Sequence, residues 1–592
     1  MNEPEATKPM AMLLQDPSIR DAGGEPLHED WPFPLDRDHL LGTGSSKFVV
    51  RDADEADNPL FEARDWADPG LGLGYADFTR RPVERPLVEN AQFHQVNAFA
   101  VAGHTLRSFE EALGREVDWR HGGPLVIRPH AFEGANAYYD PMDPSLNFGF
   151  FRSPLRAGTV WTCLSHDIVA HELGHAVLDS FRPLFLHSEE LDVPALHESV
   201  SDLLALFSAL EHPAVVERIY QESGGDMRRP SLVSGLAEEF GMGLRGSGAA
   251  YLRSALEGPG YPDAAEQAHA RSTVWTAALY DVLVELVDAV VAADHPAQQA
   301  GFEEFKQAVV TATRRLRRMM LRALSYTPPT GTTMPMLARI VYEADQRLFP
   351  ADPQSRDIAQ GVFERRGLWD ERLALTPPGI GPGFRDWDSL GLGARAALVA
   401  RHARALRIPT GVGVRLMTPR LTTAVRQSDA ARSGVATEAV TERYLHYAYE
   451  VVVDSTFEGP EGPASLGISL FYGGTLVLDQ DFHDRLLLTD PAVTIEDLGA
   501  DDPTLRGLQG AVARFREQHR SALRSVRAGG AGPAAGDGLV HDRPGSTLVL
   551  RPVGGGAARF VRRRCDFAEH LRALSGASVA LRLPGDGLRL DL

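Results

Sequence analysis

Cysteine is almost absent from this chain: its 592 residues include only Cys163 and Cys565. A disulfide framework is therefore excluded as an organising principle, and the two lie too far apart to build a Cys-based zinc site by spacing. Lysine is nearly as scarce, occurring only as Lys8, Lys47 and Lys306 among 60 basic residues. The rest are arginine, which together with the abundant alanine and glycine reads as the coding bias of a GC-rich genome. Positive charge is also in short supply overall, with 60 basic against 80 acidic residues and a formal net charge of -20. A chain this acidic is a poor binder of phosphate backbones, so no nucleic-acid partner is expected. Long apolar runs are missing too. The most apolar stretch, 282–293, is interrupted by Glu285 and Asp288 and is too short to span a bilayer. Residues 1–20 carry early acids and no apolar segment, so they do not read as a signal peptide. The default expectation is a soluble cytoplasmic protein with no membrane partner, with export by another route left open.

What is present is ample apolar material. A 43% hydrophobic content over 592 residues can bury several cores, and length alone suggests roughly three or four domains. Residues 1–84 are rich in Pro, Asp and Gly without periodicity and read as an extended, loosely structured arm. Helical spacing of apolar residues begins at Asn90 and runs to Arg115. Short strands are expected at 124–128, 134–139 and 146–151, separated by turn residues. Helices follow at 167–181, stopped by Pro183, and at 194–210, opened by Pro194. The segment 214–369 reads as mostly helical. A Pro/Gly patch at 370–385 reads as a linker. Residues 386–592 suggest an α+β accessory domain. It would hold a hairpin from 444–457 and 464–478, an Arg-rich amphipathic helix at 504–526, a flexible loop at 529–538, and closing strands at 548–553 and 579–583. His483, His541 and His570 are scattered there and read as surface residues.

The chemistry concentrates in His171-Glu172-Leu173-Gly174-His175. On a helix, residues four apart share one face, so both imidazoles can address one metal ion. Glu172 beside them can take a proton from a water. Catalytic zinc needs a third protein ligand and an open position. The next helix offers Glu198, with Asp202 one turn later on the same face. Asp202 can then accept the other ring N–H of a ligating histidine. Two acids on an otherwise apolar helix need partners if they are buried.

These motifs resemble the thermolysin-like gluzincin metallopeptidases. Residues 167–175 are similar to the zinc helix of that family, and His197-Glu198-Ser199-Val200-Ser201-Asp202 to its glutamate helix. The resemblance covers about residues 85–369. It implies an α+β fold of two lobes, 85–213 with the edge strand and zinc helices and 214–369 mostly helical, with a zinc cleft between them. It implies a metalloendopeptidase acting on peptide or protein substrates, with His171, His175 and Glu198 binding zinc and Glu172 as general base. His269 would stabilise the oxyanion. Asn136 and Ala137 would hold the substrate backbone along the edge strand. Arg228 would bind a substrate carbonyl, with Arg229 a close competitor. There are departures. The tyrosine that assists the oxyanion has no counterpart, leaving His269 alone or Tyr261 in its place. Asp167 matches a calcium ligand, but a partner glutamate position is held by Ala209, so a full double Ca2+ site is not expected.

Two rivals remain at this stage. An aminopeptidase could use the same zinc core, although no Gly-x-Met-Glu-Asn type of motif is found to anchor a substrate amine. The metal region could also be a non-catalytic binding scaffold, against which the intact Glu172 argues. The accessory domain could recruit substrate, block the cleft or bind a protein partner.

Overall fold

A 23-residue helix, Ala91–Leu113 (α1), has most of its residues buried. The Asn90 side chain caps it by accepting from the Gln92 and Phe93 amides. Gly114 ends it in the left-handed region at φ 70°. The computed structural model describes residues 6–489 except 36–37, 56, 63, 81–85, 120, 153–157, 184, 186–187, 189–191, 233–234, 237–252, 257, 266–267, 295–300, 372–374, 376, 409–413, 418–421, 428–438 and 460–461. Beyond 489 it describes the strand segments 538–543, 546–552, 558–562, 580–581 and 589–591. The chain forms two compact units, one of residues 1–181, 195–322 and 341–369, the other of residues 182–194, 323–340 and 370–592. Helices and several sheets occur together, so the class is mixed α and β. No single described helix is long and apolar enough to cross a membrane.

In the first unit, Thr7–Leu13 (β1) pairs antiparallel with His28–Pro34 (β2), and Phe48–Val50 (β3) follows. The expectation of a loose arm over 1–84 is therefore corrected. Met10, Ala11, Met12, Leu13 and Leu14 are at most 1% exposed. Trp31, Phe33, Phe48 and Trp66 surround Phe99 of α1, with ring centroids 6.5, 5.9, 6.2 and 5.0 Å away. These isolated aromatics bury large areas without any repeating pattern, which is why periodicity is blind to them. Leu125–Glu133 (β4), Ala137–Asp140 (β5), Ser145–Arg152 (β6) and Thr159–Trp161 (β7) complete a sheet of order β3-β4-β6-β5, with β7 also on β6. β3, β4 and β6 run parallel; β5 and β7 are antiparallel to β6. β5 is thus a terminal strand of that order.

Further helices include His166–Phe181 (α2), Asp192–Ala209 (α3), Pro213–Ser223 (α4), Ala268–Asp294 (α5), Phe302–Tyr326 (α6), Met334–Leu348 (α7) and Gln354–Arg365 (α8). Residues on both sides of 213/214 belong to the first unit. α2 and α3 cross closely at Gly174, where an added Cβ would lie 2.7 Å from the Ser201 Cα. Ser199 ties α3 to α5 by donating to the Ser272 carbonyl at 3.1 Å.

In the second unit, Ala439–Gly459 and Gly462–Leu478 pair as the long antiparallel hairpin that alternation predicts. Glu442, 2% exposed, accepts from the hydroxyls of Tyr326 and Tyr444. The patch read as a linker is instead packed. Gly379, Ile380 and Gly381 all direct their amides to the Asp484 carboxylate, and Phe384 is fully buried. The Arg-rich helix at 504–526, the loop at 529–537, Cys565 and His570 lie outside the described residues.

Candidate metal centre

α2 and α3 bring His171, His175 and Glu198 together. Each offers one ligand atom within 4.8 Å of the others. Nε2 of His171 is 3.5 Å from one Glu198 oxygen, and Nε2 of His175 is 3.8 Å from the other. The two rings stand nearly perpendicular, at 88°, with centroids 4.8 Å apart. A tetrahedral zinc with bonds of about 2.0–2.1 Å holds its N and O ligands about 3.3–3.4 Å apart. The observed spacing is close to that, so the residues fit a zinc-type ion.

The nitrogens facing away from this point are held. His171 Nδ1 lies 2.9 Å from an oxygen of Asp202, which is buried at 2%. Since an ionised carboxylate only accepts, the ring proton sits on Nδ1 and the Nε2 lone pair faces the ligand point. His175 Nδ1 lies 3.0 Å from His197 Nδ1, with the two rings stacked at 27°. Burial pushes His197 down to about 4, so near neutral pH it is uncharged and can accept that proton. Burial alone would raise Glu198, but the histidines gathered around it outweigh burial and hold the carboxyl well below the usual range. An ionised carboxylate beside two imidazoles is the form a divalent cation needs.

Gly174 is what lets this happen. It sits between His171 and His175, and its missing side chain admits the α3 backbone at Ser201. Glu172 is also buried, at 7%. His269, 59% exposed, lies at the rim with Nδ1 3.0 Å from Glu198. Tyr139 of β5 donates to Asp179 of α2 at 2.8 Å, fixing the terminal strand against the helix that carries both histidines. The Asn136 carbonyl accepts from Gly149 at 3.0 Å, and Ala137 pairs with Phe148.

Other expected residues stand elsewhere in the arrangement. Arg228 is ion-paired with Asp288 of α5 at 2.7 Å, and Arg229 lies 3.5 Å from Asp226. Tyr261 lies in a short 3-10 turn with the Arg271 guanidinium over its ring at 5.3 Å. Asp167 neighbours His166 at 3.6 Å and belongs to no three-residue ligand cluster among the described residues. Spacing alone assigns no role to His197 or Gly174, although Gly174 lies between His171 and His175 and His197 directly precedes Glu198. The place of His197 directly before Glu198 was the available signal for it. Compared with known proteins, the chain matches no protein-family model and no curated sequence.

Proposed function

We propose that this chain is a zinc-dependent metalloendopeptidase of thermolysin-like two-lobed design, with His171, His175 and Glu198 as the zinc ligands. The observation that carries the reading is the convergence of both Nε2 atoms and both Glu198 oxygens on one point, with Asp202 behind His171. A zinc ion held there supplies Lewis acidity toward a peptide carbonyl and toward water. Glu172 takes the proton of the attacking water and passes it to the leaving amine. His269, at the exposed rim, donates to the oxygen that becomes negative. Asp202 and His197 keep the ligand histidines in the right tautomer. The outer edge of β5 receives an extended substrate by strand addition, next to Asn136 and Ala137. Arg228 takes part only by giving up Asp288, an exposed pair of small energetic weight.

The test is hydrolysis of casein and of a quenched internal peptide, with and without chelator. Activity is expected to vanish with chelator and return with zinc. Glu172→Gln is expected to keep its zinc and lose activity by at least about a thousandfold, typical of losing a catalytic base together with its positioning. Full activity in that variant, or chelator-insensitive hydrolysis, overturns the reading.

A further inference from the structure

A second group of buried donors comes from α1, β4 and the turn ahead of α2. His94 on α1 and His130 on β4 face each other, with His94 Nδ1 2.8 Å from His130 Nε2. Their outer nitrogens are both occupied. His94 Nε2 is 3.1 Å from the Val88 carbonyl oxygen, and His130 Nδ1 is 2.8 Å from an Asp52 oxygen. A carbonyl only accepts, and so does an ionised carboxylate, so each outer nitrogen carries the ring proton. Both inner nitrogens then aim lone pairs at one point. Two bare lone pairs at that separation repel, so a proton or a cation belongs between them.

A third donor meets them there. Cys163 stands in the turn Thr162–Leu164 that leads into α2, and its sulfur lies within 4.8 Å of the two histidine donors. All three residues are at most 1% exposed. Their supports are in place as well. Gln95 fixes the second Asp52 oxygen at 2.7 Å, Asn97 donates to the Cys163 carbonyl at 2.9 Å, and the Trp161 ring lies within 5.0 Å of both imidazoles. An imidazole ligand whose far N–H goes to a carboxylate or a backbone carbonyl is the usual arrangement around a bound metal. Two imidazoles and a thiolate suit a borderline-soft ion.

We propose that His94, His130 and Cys163 supply three of the four ligands of a second, buried zinc ion, separate from the one at His171, His175 and Glu198. Zn–N bonds of about 2.0–2.1 Å and a Zn–S bond of about 2.3 Å place ligand atoms about 3.3–3.6 Å apart. The imidazoles therefore open by about half an ångström from their 2.8 Å contact to admit the ion. The Cys163 thiol loses its proton to solvent on binding, and no redox change is involved. The ion joins α1, β4 and the turn ahead of α2, and it does so whether or not the chain is a peptidase.

The experiment uses the full chain, purified without a polyhistidine tag. Zinc per chain is measured by elemental mass spectrometry for the wild type, for His171→Ala/His175→Ala, and for Cys163→Ser. Two, one and one are expected. Cobalt is then exchanged for zinc in each. Only the site with a sulfur ligand gives thiolate-to-cobalt charge-transfer absorption in the near ultraviolet. That band is expected in the wild type and in the double variant, and is expected to be lost in Cys163→Ser. If Cys163→Ser does not fold, the wild-type cobalt spectrum decides alone. A double variant that carries no zinc, or cobalt-loaded wild type without the band, overturns the proposal while leaving the peptidase reading standing. A wild type with one ion and a strong sulfur band supports this site and counts against the other.

Discussion

Substituting Gly174 by alanine sets two effects against each other. On helix propensity alone, alanine stabilises an α-helix by about 0.5–1 kcal/mol over glycine. The structure predicts the reverse. The new Cβ would stand 2.7 Å from Ser201 Cα and 2.9 Å from Ser201 Oγ. Carbon atoms in contact prefer about 3.5–4.0 Å, so the two helices must part by about 1 Å. Overpacking of this kind costs about 1–3 kcal/mol, which exceeds the propensity gain. The more telling consequence is at the metal point. His171 and Glu198 are separated by 3.5 Å across that crossing, and ligand distances tolerate only about 0.2 Å of error. Parting the helices therefore draws Glu198 out of reach, and zinc affinity is expected to fall by about a hundredfold or more, the upper end of what displaced ligand supports cost. Competition with a chelator of known strength measures the affinity, and thermal unfolding of the metal-free chain measures the packing cost. An alanine variant with unchanged zinc affinity and a raised melting temperature refutes the reasoning.

Other expectations follow from the same geometry. Asp202→Asn keeps the contact with His171 Nδ1 but removes the charge, so zinc affinity is expected to drop about 10- to 100-fold; chelator competition showing no change counts against its role behind the ligand. Tyr139→Phe removes a hydrogen bond to the buried Asp179 carboxylate, an interaction worth about 1.5–3 kcal/mol, and is expected to raise KM more than it lowers kcat, because β5 loses its tie to α2. Burial, and then the neighbouring His212, push both His104 and His166 down to about 3 from 6.5. Below pH 6.5 the unfolded chain takes up protons that these two refuse in the folded state. Stability is therefore full above that pH and falls toward pH 3, by about 1.4 kcal/mol per pH unit for each group. Replacing both by glutamine should flatten the acid limb of a melting-temperature profile, and an unchanged limb contradicts this assignment.

The convergence of His171, His175 and Glu198 was legible because its pattern is local. His171 and His175 lie on one face by helical spacing, and Glu198 and Asp202 repeat that spacing one helix later. The long hairpin was legible from alternation, which depends only on neighbouring residues. The N-terminal segment was not, because Trp31, Phe33 and Trp66 each act as a single anchor around Phe99. The packed turn at Gly379–Gly381 was hidden for a related reason: its Pro and Gly content reads as a linker until Asp484, far along the chain, is seen to collect its amides. The donors at His94, His130 and Cys163 are likewise separated by a helix and several strands, and only the folded sheet brings them together.

Asn97 gives the N-terminal segment a further meaning. Its side-chain oxygen accepts from the Leu13 amide at 2.7 Å, and its nitrogen donates to the Cys163 carbonyl at 2.9 Å. One buried amide thus couples the first strand to the turn from which α2 springs. During synthesis that strand emerges early and must wait for residue 163 before its partner is complete. Losing this strand would leave the Asn97 oxygen without the Leu13 amide and unseat one end of the tie that runs through α1 to the start of α2.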